Sequence, residues 1–162
     1  MLSLNMKITL FTIGKNNDTI IQSAIERYVA RISHYAKFDM KNLPDAKVSK
    51  SAGTEVQKQA EGTMILASLK PYDFVVLLDE RGKEYTSREF ATMLEKHFVS
   101  TSRNMVFIIG GPYGFSPDVY ARADMKISLS RMTLTHEMVR LLFVEQLYRA
   151  CTIIRGESYH HD

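Results

Sequence analysis

Four short stretches hold the residues with chemistry to offer. The string IIGGPYGFSP, residues 108–117, places three glycines and two prolines directly after an apolar run. Glycines at the carboxyl end of a buried strand remove side chains, so backbone amides can meet a ligand there. Taken alone, the same loop is equally a tight turn. The GK[ST] ending of a P-loop is missing, which argues against a nucleotide triphosphatase, and GxGxxG is missing as well. The string THEMVR, residues 135–140, invites comparison with the zinc motif HExxH. Its fifth position is Arg140, so the second ligand is absent and a zinc protease is rejected. His136 then reads as a residue at a helix start, where Thr135 caps and Glu137 complements the helix dipole. Cys151 sits in a crowded apolar helix with no histidine nearby and reads as a buried structural thiol. The tail RGESYHHD packs an arginine, a tyrosine and two histidines into eight residues. A Tyr–His pair can stack on a base and move a proton, whereas the bland reading is a frayed end.

These stretches need a scaffold, and the composition supplies the means for one. A chain of 162 residues is one domain's worth and can bury a core without disulfides or a structural metal. Hydrophobic residues make up 45% and charged residues 24%, which excludes a disordered chain. The longest apolar stretches fall short of the roughly 18 residues a membrane span needs. No apolar run with a small-residue cleavage site marks a secretory signal. One cysteine excludes an internal disulfide and any multi-cysteine zinc site, so the expectation is a cytoplasmic protein with no metal. The net charge of +3 permits a nucleic-acid partner without requiring one.

Apolar runs and helical stretches alternate throughout. MKITLFTIG (6–14) reads as a buried strand, 18–33 as a helix, and 38–43 as a short strand. Residues 54–69 return to helix with Val56, Ala60, Met64 and Ala67 along one side. DFVVLLDE (73–80) is a strand with Arg81-Gly82-Lys83 as its turn. Residues 87–98 form a helix capped by Ser87 alone, since Phe90 stands where a capping box needs an acid. NMVFIIGG (104–111) is the most apolar strand and runs straight into the glycine loop. MKISLS (125–130) precedes a polar segment and a long helix from about Thr135. Such alternation predicts an α/β domain over residues 6–162, with a mostly parallel sheet covered by helices on both faces. Residues 1–5 read as an N-terminal extension. From Met138 to Ile154, 12 of 17 residues are apolar and cover most of the helix circumference. Such a helix is buried on both sides, by the sheet and by a second subunit or simply by its own domain.

FIIGGPYGFS, SLSRMTLTHEMVR and VEQLYRACTIIRGESYH, in this order and spacing, resemble the ribosomal large-subunit methyltransferase H family of SPOUT-class enzymes. The resemblance runs from Met6 through nearly the whole chain, diffuse in the first half and specific in the second. It implies a homodimer with a C-terminal trefoil knot, a feature too rare for sequence patterning to suggest. It further implies S-adenosylmethionine-dependent methylation of ring N3 of a pseudouridine in 23S rRNA, within the assembled ribosome. Carried over residue by residue, the cofactor pocket resembles Leu78, Gly110 and the segment Leu129, Ser130, Arg131, Met132, Thr133 and Leu134. Gly110 is expected to approach the ligand with bare backbone. The substrate side resembles Arg149, Tyr159 and His160. His161 and Asp162 depart from the family, which commonly has a basic residue at this point. Two alternatives stand beside this reading: a SPOUT enzyme methylating another RNA position, and a ribosome-binding factor that keeps the fold without methyl transfer.

Overall fold

The computed structural model describes residues 4–162. Of the expected extension at residues 1–5, residues 1–3 lie outside the described residues, and Leu4 packs against the core. Five parallel strands form one sheet in the order β2-β1-β4-β3-β5: β1 (Lys7–Ile13), β2 (Lys37–Leu43), β3 (Phe74–Glu84), β4 (Met105–Ile109) and β5 (Met125–Ser128). The helices are α1 (Thr19–Ile32), α2 (Thr54–Ser68), α3 (Ser87–Ser100), α4 (Pro117–Arg122) and α5 (His136–Ile154).

Alternation along the central strands splits the core in two. Ile8, Leu10, Val76, Met105, Phe107 and Ile109 face one side, where they meet α1, α3 and α5. Phe11, Ile13, Val75, Leu77, Val106 and Ile108 face the other, where Ile65 of α2 and Val119 of α4 cover them. All five residues of β4 are buried, as a central parallel strand sandwiched between helices requires. The edge strand β2 instead exposes Lys37, Asp39 and Lys41, charges that discourage edge-to-edge pairing. The α/β architecture with helices on both faces is therefore as the alternation predicts. No helix among the described residues is long and apolar enough to cross a membrane.

Four local expectations need correction. First, α2 turns a different side to the sheet. Its buried residues are Glu61, Gly62 and Ile65, while Val56 is exposed. The one-residue shift rotates the inner face by about 100°, and hydropathy misses it because a carboxylate lies on that face. Second, β3 does not stop at a turn. It bulges between Leu78 and Lys83 and pairs again with β5 up to Glu84. Gly82 permits this, because a Cβ there would stand 2.7 Å from the Ile127 backbone. Third, α3 is capped by Thr86, whose hydroxyl accepts the Glu89 N–H while the Glu89 carboxylate accepts the Thr86 N–H. The capping box is complete one residue earlier than the sequence reading placed it. Fourth, the glycine loop leads into the short helix α4, with Ser116 as its cap and Pro117 in the first turn.

Candidate active site

The carboxyl ends of β3, β4 and β5 open onto a cavity of about 670 Å³. Its volume falls in the range of small-ligand and cofactor sites. Three segments enclose most of it: the bulge of β3, the glycine loop after β4, and the connection from β5 into α5. Leu78 and Gly110 line it, as do Leu129, Ser130, Met132, Thr133 and Leu134. Arg131 does not. Its exposed side chain turns outward to Glu84, with Nε 3.2 Å from Oε1. The connection holds its shape locally: the Ser128 hydroxyl donates to the Ser130 carbonyl at 2.9 Å, and the Ser130 hydroxyl accepts the Met132 N–H at 2.9 Å. Thr135 then caps α5 by accepting the Met138 N–H at 3.3 Å.

The glycine loop is shaped from behind as much as from the cavity. A Cβ on Gly110 would stand 2.9 Å from the Phe115 ring, so its bareness makes room for the loop's own aromatic. A Cβ on Gly111 would stand 2.5 Å from Oε2 of Glu61, a carboxylate only 3% exposed. Gln57 donates to the other oxygen of that carboxylate at 3.0 Å. Glu61 thus fixes the loop against α2, a role the sequence reading did not assign.

Several cavity residues went unnoticed in the sequence. Lys58 of α2, Tyr120 of α4, and Asp79 and Arg81 of the β3 bulge all line it, as does His136 at the start of α5. The motif comparison at residues 135–140 had singled out His136 only as part of a helix start. Arg140, the residue that spoils the zinc pattern, is 3% exposed and donates to the carbonyls of Ile13 and Gly14 at 2.7 and 3.0 Å. Burial lowers its pKa from the ordinary value. It pins the first turns of α5 to the end of β1, so the cavity wall is tied to the middle of the sheet. Glu137 adds a second tie by accepting the Asn17 N–H at 3.0 Å. Among the described residues, no three His, Cys, Asp or Glu side chains gather to hold a metal. Burial pushes the Cys151 thiol up to about 12, which leaves it an inert core group.

Arg149, Tyr159 and His160 do come together, at the far end of α5. Arg149 lies over the Tyr159 ring, 4.7 Å from its centre, and its Nη1 is 3.3 Å from His160 Nδ1. Glu145 joins them: it holds Arg149 at 2.5 Å and accepts the Tyr159 hydroxyl at 3.1 Å. Hydrogen bonding to Glu145 raises the Arg149 pKa, and burial leads the causes that push Tyr159 up to about 12. Asp162 meets His160 Nε2 at 3.0 Å and Arg88 at 2.7 Å, and the Arg88 contact holds its carboxyl below the ordinary value. None of the three tail-end residues lines the cavity. Arg149 lies ten residues along α5 beyond Val139, the last helix residue to line the cavity, about 15 Å at 1.5 Å per residue.

Comparison with known proteins completes the description. The sequence profile of a family described as "Predicted SPOUT methyltransferase" matches residues 6–160. A protein of Porphyromonas gingivalis named "Ribosomal RNA large subunit methyltransferase H" is 50% identical over 157 residues, covering 97% of this chain and 100% of the relative. A protein of the same name from Parabacteroides distasonis shows the same identity and coverage. Another, from Cytophaga hutchinsonii, is 48% identical over 156 residues, 96% of this chain and 100% of that protein.

Proposed function

This chain belongs to the SPOUT methyltransferase family, and from that premise we propose that it methylates ring N3 of a pseudouridine in the 23S rRNA of the assembled ribosome, with S-adenosylmethionine as donor. The observation that carries the proposal is the cavity at the ends of β3, β4 and β5, built by the segments that the resemblance assigns to the cofactor. Its chemistry suits that group. Leu78, Ile109, Leu129, Leu134 and Val139 offer apolar walls to an adenine, with bare backbone at Gly110 beside them. Lys58, Asp79 and Arg81 offer charges to the amino-acid and sugar portions. The outward-facing Arg131 is left out of that set. The C-terminal trefoil knot and the cytoplasmic location belong to the same proposal.

The homodimer belongs to the same proposal, supported by where the tail lies. In one chain Arg149, Tyr159 and His160 lie outside the cavity lining, and Arg149 stands ten residues, about 15 Å of helix rise, beyond Val139 at its wall. A second copy, packed through the exposed Met138 and Leu142 of α5 and Ile20 of α1, would bring its tail to this cavity. The Asn17–Glu137 hydrogen bond keeps the starts of α1 and α5 together, so these three apolar side chains belong to one neighbourhood. Their exposure makes sense as interface.

Bound S-adenosylmethionine supplies a methyl group already activated by its sulfonium. What the chain must add is alignment and a proton acceptor, because N3 of the target carries an imide proton. His160 would take that proton, leaving N3 free to accept the methyl group. Arg149 stabilises the negative charge on the ring carbonyls, and Tyr159 stacks on or hydrogen-bonds the base. The decisive assay is methyl transfer to ribosomes from a strain lacking this activity, followed by mass mapping of the rRNA. A methyl on N3 of a 23S pseudouridine is expected. A methyl elsewhere in RNA, or binding without transfer, would overturn the assignment.

A further inference from the structure

Asp79 is the cavity residue whose geometry goes beyond that reading. It stands at the carboxyl end of the regular part of β3, and the register Leu78–Ile109 sets it beside Gly110. Both its oxygens are held. Oδ1 accepts the Arg81 N–H at 2.9 Å, and Oδ2 accepts the Tyr120 hydroxyl from α4. Neither donor is a cation, and among the described residues Asp79 forms no ion pair. Each carboxylate oxygen has room for two donors, so one acceptor position per oxygen is left. Two adjacent acceptors on a fixed, half-buried carboxylate match two adjacent hydroxyl donors. Dinucleotide-binding sheets use a strand-end carboxylate on ribose hydroxyls, and Asp79 offers the same chemistry without their glycine fingerprint.

We propose that Asp79 is a subsite for the vicinal 2′,3′-diol of a ribose, and that Tyr120 is the positioning residue that fixes its carboxylate. The inference rests on the proposed adenosyl cofactor and deepens it. Tyr120 suits the task because burial, with the Asp79 hydrogen bond, pushes its hydroxyl up to about 12, so it remains a donor at every physiological pH. Packing holds the ring as well: Phe115 meets it edge-on at 5.8 Å, and the Lys126 ammonium lies 5.4 Å from its centre. The carboxylate is therefore aimed before any ligand arrives, which reduces what binding must order.

The test is isothermal titration with S-adenosylhomocysteine and with its 2′,3′-dideoxy analogue. Wild-type protein should prefer the full ribose by about tenfold or more, the usual span for hydrogen bonds to a charged group. Asp79→Asn should lose that preference: affinity for S-adenosylhomocysteine falls about tenfold, and affinity for the dideoxy analogue stays within about twofold. Tyr120→Phe should show the same pattern at smaller size, with its melting temperature reported alongside. A purely structural role for the pair would weaken both ligands equally, and that result overturns the inference. So does a wild-type protein indifferent to the diol, a measurement that needs no variant. If Asp79→Asn weakens S-adenosylmethionine far more than S-adenosylhomocysteine, the carboxylate faces the sulfonium and the diol assignment is wrong. Failure of wild-type protein to bind either adenosyl compound instead removes the cofactor reading itself.

Discussion

Arg149 donates to His160: its Nη1 lies 3.3 Å from His160 Nδ1. A guanidinium has no acceptor, so Nδ1 must offer its lone pair, and the ring proton belongs on Nε2, which faces Asp162 Oδ1 at 3.0 Å. The tail therefore holds its histidine in one tautomer, with the basic nitrogen turned to Arg149. To accept a proton from a substrate, His160 has to exchange that contact for the target base.

His160→Ala should accordingly lower turnover by about 10²–10⁴-fold, the ordinary worth of a general base. Cofactor affinity should be unchanged, since the role proposed for His160 is toward the target base and not toward the cofactor. Single-turnover methylation and titration calorimetry read the two separately. Near-normal turnover would sink the base role. Recovery of the mutant at high pH would support it, because hydroxide then replaces the missing acceptor.

Gly111→Ala tests the support behind the glycine loop. The new methyl would stand 2.5 Å from Glu61 Oε2, so the buried carboxylate must shift and its Gln57 hydrogen bond with it. Cofactor affinity should fall by at least tenfold, about 1.4 kcal/mol. Adding Glu61→Ala opens space under the loop and should restore part of that loss, a coupling visible in a double-mutant cycle. Additive losses would show that the two residues act independently. Gly110 is a poorer probe, because any side chain there first displaces Phe115.

These contacts mark where the sequence was readable and where it was not. Runs such as MVFII carry their strand on their face, because a short β-branched and aromatic apolar run that ends in glycines suits a buried parallel strand. The glycine loop was readable for a local reason, bare backbone after a buried strand, whereas the segment from Leu129 was assigned through the family resemblance. The pairs that shape the cavity are not local in the chain. Asp79 meets Tyr120 across 41 residues, and Arg140 meets Ile13 across 127. No periodicity encodes such pairs. Glu61 stands out nowhere in the sequence, and only packing puts it under Gly111. The tail could be seen as chemically rich, but its separation from the cavity lining depends on the length and direction of α5.

Alkaline pH should weaken the fold. Tyr35, Tyr120 and Tyr159 each rise from an ordinary 10.0 to about 12, led by the Glu157 hydrogen bond for Tyr35 and by burial for the other two. A folded-state pKa above the unfolded one favours the neutral phenol in the native state. That contribution is complete below pH 10 and is lost as pH climbs through about 12. Urea midpoints should therefore drop across this window, and Tyr120→Phe should flatten the drop. A midpoint that stays level would contradict the buried, hydrogen-bonded placement of these hydroxyls.

Whether cavity and tail meet within a chain or between chains can be decided with two inactive variants. Gly111→Ala impairs the cavity and leaves the tail, whereas His160→Ala impairs the tail and leaves the cavity. If each site needs one chain's cavity and its partner's tail, a mixed dimer holds one site with both defects and one with neither. Co-expression in equal amounts makes half the dimers mixed, so about a quarter of wild-type activity should return under two-fold symmetry. If each chain serves its own cavity, every site in the mixture carries a defect and nothing returns. Leu142→Glu supplies the control. Leu142 is 36% exposed, so a charge there spares the monomer's core but is desolvated in an interface. The variant should fold, run at half the wild-type mass in light scattering, and abolish the complementation. A native protein that is monomeric at micromolar concentration would end the shared-site reading, because a tail that does not line its own chain's cavity would then have no partner cavity to serve.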